Sequence, residues 1–269
     1  MLRGLLILAA ILGGISLSFA DSRNSDLLKE EQWNQSRKLL AEGKAVEARA
    51  AFEDLLTKYP NEADLHLLLG ISLLRLRDPY AAERAVRKAI DIDDKHVEAR
   101  TLLGWIEAEI RGDFDAATKE YMKVVELRPD SAEAYNNLGT ALKRGGHLDK
   151  ALDSFNQALR RRADYSAALS NRGWVFAEQQ NWIEARRNFE QALTVNPRDE
   201  GALYGLAHVL REARDYAGAQ AALRRLLTQS PNFVYWLEWS RVGLIRYYWV
   251  LLLITLALFL KARFKKARN

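Results

Sequence analysis

The sequence predicts an all-α fold, a solenoid of about six helix-turn-helix repeats followed by one C-terminal transmembrane helix. Three observations carry that reading. Small residues recur every 34 positions through the middle of the chain, a long apolar run lies near its C-terminus, and none of the 269 residues is cysteine. Packing alone must therefore hold the fold together, and an apolar share of 49% is ample for a buried core.

The chain opens with Arg3, an uncharged apolar stretch from Leu5 to Leu17, and Ser18-Phe19-Ala20 ahead of Asp21. A basic start, a short apolar stretch and a small-x-small site form the layout of a secretory signal peptide, expected over 1–20. The stretch is short for a bilayer crossing of about 30 Å at about 1.5 Å per residue, so an uncleaved anchor is the weaker alternative. Residues 21–28 read as a linker.

From there the repeat takes over. Gly70, Gly104, Gly139 and Gly173 are separated by 34, 35 and 34 residues, and Ala207 continues the series. A second register runs Ala48, Ala82, Ala117, Ala151, Ala185 and Ala219, and four residues after each stand Phe52, Val86, Tyr121, Phe155, Phe189 and Leu223. Pro60, Pro129, Pro197 and Pro231 close four of the units. Six units result, at 29–62, 63–96, 97–131, 132–165, 166–199 and 200–233, filling 29–233. Breaks are expected at Gly43, Arg111-Gly112-Asp113, Gly145-Gly146, Gln179-Gln180-Asn181 and Arg214-Asp215. The third unit carries one extra residue near Arg111, which should lengthen its first helix. Gln32, Gln35 and Ser36 make the first unit a polar cap, since no repeat of this kind buries its own face alone.

These residues resemble the tetratricopeptide repeat (TPR), with Leu69-Gly70, Leu103-Gly104, Leu138-Gly139, Ala151 to Phe155 and Ala185 to Phe189 matching its signature. The resemblance implies a right-handed superhelix of paired antiparallel helices. The glycine of the first helix lets the second approach, the phenylalanine fills space between repeats, and first-helix residues line a concave groove.

Beyond Pro231, residues 234–241 read as a capping and juxtamembrane segment. Residues 242–260 are apolar except for Arg246, which lies near one edge and can snorkel to the headgroups. Trp236, Trp239, Tyr247, Tyr248 and Trp249 crowd the upstream edge like an interfacial belt. The tail, 261–269, carries Lys261, Arg263, Lys265, Lys266 and Arg268 with no acid, which predicts a cytoplasmic C-terminus. The two ends together predict a single-pass inner (cytoplasmic) membrane protein whose repeats face the periplasm or exterior.

The formal charge of +5 misleads until it is placed. Removing Arg3 and the seven cations of 241–269 leaves −3 for residues 21–240, so a nucleic-acid partner loses its main support. No catalytic constellation stands out. His66, His96, His147 and His208 are scattered, and no His-Glu-x-x-His, phosphate loop or Gly-x-Ser-x-Gly is present. His66 reads as a half-buried packing histidine, and Asp93-Asp94 as turn and cap residues. No enzyme activity, cofactor or metal is expected.

Binding is the expected function. Helical spacing puts residues two before and one after the glycine slot on the groove wall. The first series is Asn34, Leu68, Leu102, Asn137, Asn171, Gly205; the second is Arg37, Ile71, Trp105, Thr140, Trp174, His208. In some family members groove asparagines hold an extended peptide backbone, and Asn137 with Asn171 resembles the start of such a ladder; an amide suits it by offering donor and acceptor together. Trp105 and Trp174 are expected as apolar anchors, with Trp33, Asn136 and Tyr204 on the same surface and Lys143, Arg144 and Arg211 further along. Packing against neighbouring helices is the competing account of the same residues. The expectation is thus an anchored scaffold that holds a protein or peptide partner and assists assembly of an envelope complex. The alternative is a tail-anchored, cytosol-facing chaperone co-receptor, whose carboxylate clamp is incomplete here: Asn137 and Lys143 offer fragments, while Leu67, Ile71 and Thr101 fill other wall positions.

Overall fold

The structure, a computed structural model, describes residues 25–268, so the expected signal peptide at 1–20 lies outside the described residues. Among those residues there are thirteen helices and no strand, and they fall into two compact units that meet at Asp130 and Ser131.

The first unit holds α1 (Ser25–Ala41), α2 (Ala45–Lys58), α3 (Ala63–Arg75), α4 (Pro79–Ile92), α5 (Val97–Ile106), a π-helical turn (Glu107–Arg111) and α6 (Phe114–Leu127). Helix α1 begins four residues ahead of the expected first repeat. The second unit holds α7 (Ala132–Arg144), α8 (Leu148–Arg161), α9 (Ser166–Glu178), α10 (Trp182–Val195), α11 (Glu200–Glu212), α12 (Tyr216–Gln229) and α13 (Phe233–Arg268). Within each unit consecutive helices pair as hairpins.

Local chemistry sets the helix ends. Asp78, Asp113, Ser131, Asn181, Asp199 and Asp215 each accept a hydrogen bond from the backbone N–H three residues on, satisfying a donor that the first turn leaves open. Each hairpin turns through one left-handed residue: Gly43, Arg77, Gly112, Gly146, Gln180 and Arg214, again spaced by 34 or 35. The amide after each reaches back to a helix carbonyl, as Asp78 N–H to Leu73 O at 2.9 Å and Asn181 N–H to Phe176 O at 2.8 Å. Arg77 was not among the expected breaks, because nothing in its side chain signals the turn.

The extra residue of the third repeat is accommodated as the π-helical turn. Gly112 N–H bonds Glu107 O, one residue further back than an α-helix allows. The added residue leaves Glu107 buried, where burial raises its carboxyl pKa. Arg87 of α4 and Arg111 both pair with it, and Arg111 also reaches Glu83 at 2.9 Å.

The packing follows the registers read from the sequence. Ala48, Ala82, Ala117, Ala151, Ala185 and Ala219 are fully buried, as are Phe52, Val86, Phe155 and Phe189. A Cβ added at Gly104, Gly139 or Gly173 would stand 2.7–2.9 Å from the Tyr121, Phe155 or Phe189 ring of the same hairpin. The glycine therefore makes room for the aromatic of its own second helix, and it is the ring four residues past the alanine that fills the space. Gly205 contacts Phe189 as well, so that ring is wedged between two successive first helices. Arg172 stands where four of the other repeats place leucine; Asn188 and Asn156 accept from its guanidinium, both at 2.7 Å.

Helix α13 is one unbroken helix. Its first turns lie in the register of a seventh first helix: Tyr235, Trp239 and Val242 pack on the apolar cluster of α11 and α12, and Val242 is 1% exposed. Gly243 lies against Gln220, and Arg246 donates to Gln220 Oε1 at 3.1 Å with its guanidinium over the Tyr247 ring. Protein packing thus reaches four residues past 242, where Arg246 hydrogen-bonds α12. By length and composition, Phe233–Leu260 is a helix able to cross a membrane.

Candidate functional site

In the second unit, first helices α7, α9, α11 and the start of α13 bring a set of polar and aromatic side chains together. At the α7–α9 end, Asn171 donates to Asn136 Oδ1 at 3.0 Å and approaches Thr140 Oγ1 at 3.4 Å. Asn136 is buried at 8% exposure, whereas Asn137, Thr140 and Asn171 are half-buried. One amide of the expected ladder is thus engaged within the protein itself. Burial pushes the Lys143 ammonium below its ordinary value, against the opposing pull of Glu178.

At the α9–α11 end the wall is aromatic. Trp174 lies edge-on to Phe189 at 5.4 Å, tilted against Tyr204 at 6.0 Å and stacked on His208 at 6.0 Å. Its indole N–H donates to Gly201 O at 3.2 Å, which fixes the ring plane. Trp182 meets His208 edge-on, and Tyr235 of α13 meets Tyr204 at 5.7 Å. Trp174 is thus half-buried, packed against Phe189, Tyr204 and His208.

The His208 pKa is lowered. Burial lowers its pKa first, and the Arg211 guanidinium, which donates to Nδ1 at 2.9 Å, lowers it further. Arg211 also pairs with Glu238 of α13 at 3.2 Å. The imidazole is thus flanked by two rings and a guanidinium, groups whose chemistry suits aromatic and carboxylate contacts.

The first unit uses its predicted residues differently. Trp33 is 4% exposed and belongs to the core, so it offers no accessible wall, and Trp105 packs half-buried on the same cluster. Asn34 is exposed and accepts from Arg37. Leu68, Leu102 and Ile71, read as wall positions, are buried between helices, and so is Gly205 in the second unit. Bulky side chains at those slots are drawn into the inter-repeat core, so spacing alone does not mark a wall position.

His66 is half-buried with its Nε2 at 2.9 Å from Pro60 O. His96 lies between Asp64 at 3.1 Å and Glu98 at 3.4 Å, in a cleft of about 450 Å³ also lined by Asn61, Glu62 and Arg128. Burial alone would lower the His96 pKa, but the two carboxylates outweigh it and carry it to about 9. Asp93 accepts from Lys95 N–H at 3.0 Å, a turn residue as expected. Among the described residues no group of three acidic or histidine side chains is placed to hold a metal.

The wall residues missed in the sequence are Tyr235, Glu238 and Trp182. Extending the 34-residue period past Pro231 puts Glu238 in the slot equivalent to Tyr204, but the hydropathy of that segment masks it.

Tetratricopeptide repeat family models match residues 39–106 and 176–237, with further repeat models at 110–146 and 132–165. No curated protein matches the chain. Among solved structures, a tetratricopeptide repeat protein from Parabacteroides merdae superposes with a TM-score of 0.71 at 19% identity, covering 81% of this chain and 87% of its own. Pseudomonas aeruginosa pilF gives 0.67 at 16% identity over 80% and 98%. The APC/C hetero-tetramer Cut9-Hcn1 gives 0.66 at 21% identity over 78% of this chain, which spans 42% of the chain matched there. These likenesses concern the fold.

Proposed function

Because this chain is a member of the tetratricopeptide repeat family, we propose that it is a membrane-anchored scaffold that captures a protein or peptide partner on the wall of its second unit. The observation that carries this reading is the half-open aromatic set Trp174, Tyr204 and His208, bordered by the Arg211–Glu238 pair and, through α9, by Asn171 and Thr140. Few residues of an interface carry most of its energy, and tryptophan, tyrosine and arginine dominate among them. The partner chemistry that fits is an extended segment: its backbone meets the amide and hydroxyl groups near Asn171 and Asn137, and an aromatic or aliphatic side chain lies on Trp174. Tetratricopeptide folds serve protein interaction in general, and no cofactor enters the reading.

The anchor is Phe233–Leu260, and the repeats stand on the periplasmic side with the basic tail inside, where they assist assembly of an envelope complex. Support for that orientation comes from the five cations after Leu260 and the apolar start of the chain. Photo-crosslinking from Tyr204 in intact cells, with Val46 as a control site, tests the capture. A specific adduct from position 204 alone is expected; equal adducts from both positions refute the wall. A periplasm-active reporter fused after Asn269 should be silent, and its activity would reverse the orientation in favour of a cytosol-facing co-receptor.

A further inference from the structure

We infer that helix α13 enters the bilayer aslant, so that lipid already covers its face opposite α12 along the stretch packed on the last hairpin, which is thereby seated in the headgroup layer. The inference rests on the membrane-anchor reading above.

The uncovered apolar run is shorter than the hydrocarbon core even when upright, and a slant shortens its projection further. Protein packing on α13 extends to Arg246 through Val242, Gly243 and the Gln220 hydrogen bond. Tyr247–Leu260 then leaves 14 residues, about 21 Å of helix against a hydrocarbon core of about 30 Å. The missing length must come from the packed stretch itself.

That stretch has a lipid-compatible face. At about 100° per residue, Tyr235, Trp239, Val242 and Arg246 share the side toward α12. Phe233, Trp236, Leu237, Leu244, Tyr247 and Tyr248 share the opposite side, and they are 46–70% exposed. In a complete hairpin that side would meet the repeat's own second helix, but α13 simply continues, and Arg241 stands where five of the six repeats carry glycine or alanine. Phe233 and Trp236 stack at 5.9 Å, and aromatic rings of this kind favour the headgroup level. Arg241 sits at the border of the stripe, within 3.5 Å of Glu238, and long cationic side chains reach back to phosphates from that depth.

A slant also resolves the position of the neighbouring turn. Helix α12 runs back along α13 with Gln220 beside Gly243 and Arg246. The charged turn Arg214-Asp215 would therefore lie deep beside α13 if the helix stood upright. Tilting the uncovered face downward lifts α12 and its turn toward water while lowering Leu244 into lipid.

The absence of cysteine allows unique labels. Leu244→Cys, Leu253→Cys and Ala221→Cys, each in the full chain, are carried into phosphatidylcholine vesicles containing phosphatidylglycerol and labelled with bimane or a water-soluble maleimide. Doxyl-lipid quenching at 244 and 253, with maleimide reaction at 244 at least about tenfold slower than at exposed Ala221→Cys, is the expected result. Quenching at 253 with free reaction at 244 overturns the slant while leaving the anchor in place. Protection at 244 without lipid quenching also overturns it, because protein and not lipid then covers the stripe. If neither 244 nor 253 is quenched and the chain does not float with the vesicles, the anchor reading itself has failed.

Discussion

Replacing Gly139 with alanine pits two opposing quantities against each other. Alanine in a helix interior is favoured over glycine by about 1 kcal/mol. Here the new Cβ would stand 2.7, 2.9 and 3.0 Å from three atoms of the Phe155 ring, where ordinary contact begins at 3.4 Å. The ring must withdraw by roughly 0.7 Å within a fully buried, close-packed hairpin. Overpacking of this kind costs about 1–3 kcal/mol, so Gly139→Ala should lower stability by about 1 kcal/mol net. In a Phe155→Leu background the ring edge is gone, and the same substitution should become stabilising by up to about 1 kcal/mol. Urea unfolding of the detergent-solubilised chain, followed by far-ultraviolet circular dichroism with m-values compared, measures all four corners of the cycle. A stabilising Gly139→Ala in the parent chain, or an identical effect in both backgrounds, would refute the argument that glycine is there to seat the ring.

Three further predictions follow from the same geometry. Gln180→Gly should raise stability by roughly 0.5–1 kcal/mol in thermal melts, because Gln180 holds a left-handed φ of 59° that strains any residue with a Cβ. His96, with a folded pKa of about 9 against an ordinary 6.5, contributes stability that is complete below pH 6.5 and is lost as pH rises through 9. Allowing for solvent screening, that contribution is about 2 kcal/mol, and His96→Gln should flatten the decline when unfolding is titrated between pH 6 and pH 10. Asn171→Ala should cost about 1 kcal/mol of stability by stranding the buried Asn136 carbonyl, whereas Asn137→Ala should weaken partner capture with little change in melting temperature; equal melting losses in both would make the pair structural.

How far these features were legible differs from element to element. The alanine and aromatic registers are close-packed contacts repeated at each hairpin, so composition at a fixed spacing is enough to locate them. The π-helical turn was foreshadowed by the 35-residue spacing around Arg111, but its consequence, a buried Glu107 between two arginines, depends on which way the extra residue rotates the backbone. Of the positions expected on the wall, Thr140, Asn171, Trp174 and His208 are half-buried. The expectation failed at Leu68, Leu102 and Ile71, because the same helical angle is open or closed according to the bulk of the next repeat. Trp33 looked like an anchor and is core, since exposure is a property of neighbours and not of spacing. Tyr235 and Glu238 were hidden inside a segment whose hydropathy pointed to a membrane span and drew attention away from its packing on the stack.

That double character makes α13 a rigid axle. Tyr235 and Glu238, which complete the aromatic wall, and Leu252 to Leu260, which project bare from it, are welded to one shaft with no joint between them. The compass heading of the wall relative to the shaft is consequently a matter of residue count alone, and one residue inserted after Arg246 would swing everything beyond it through about 100°.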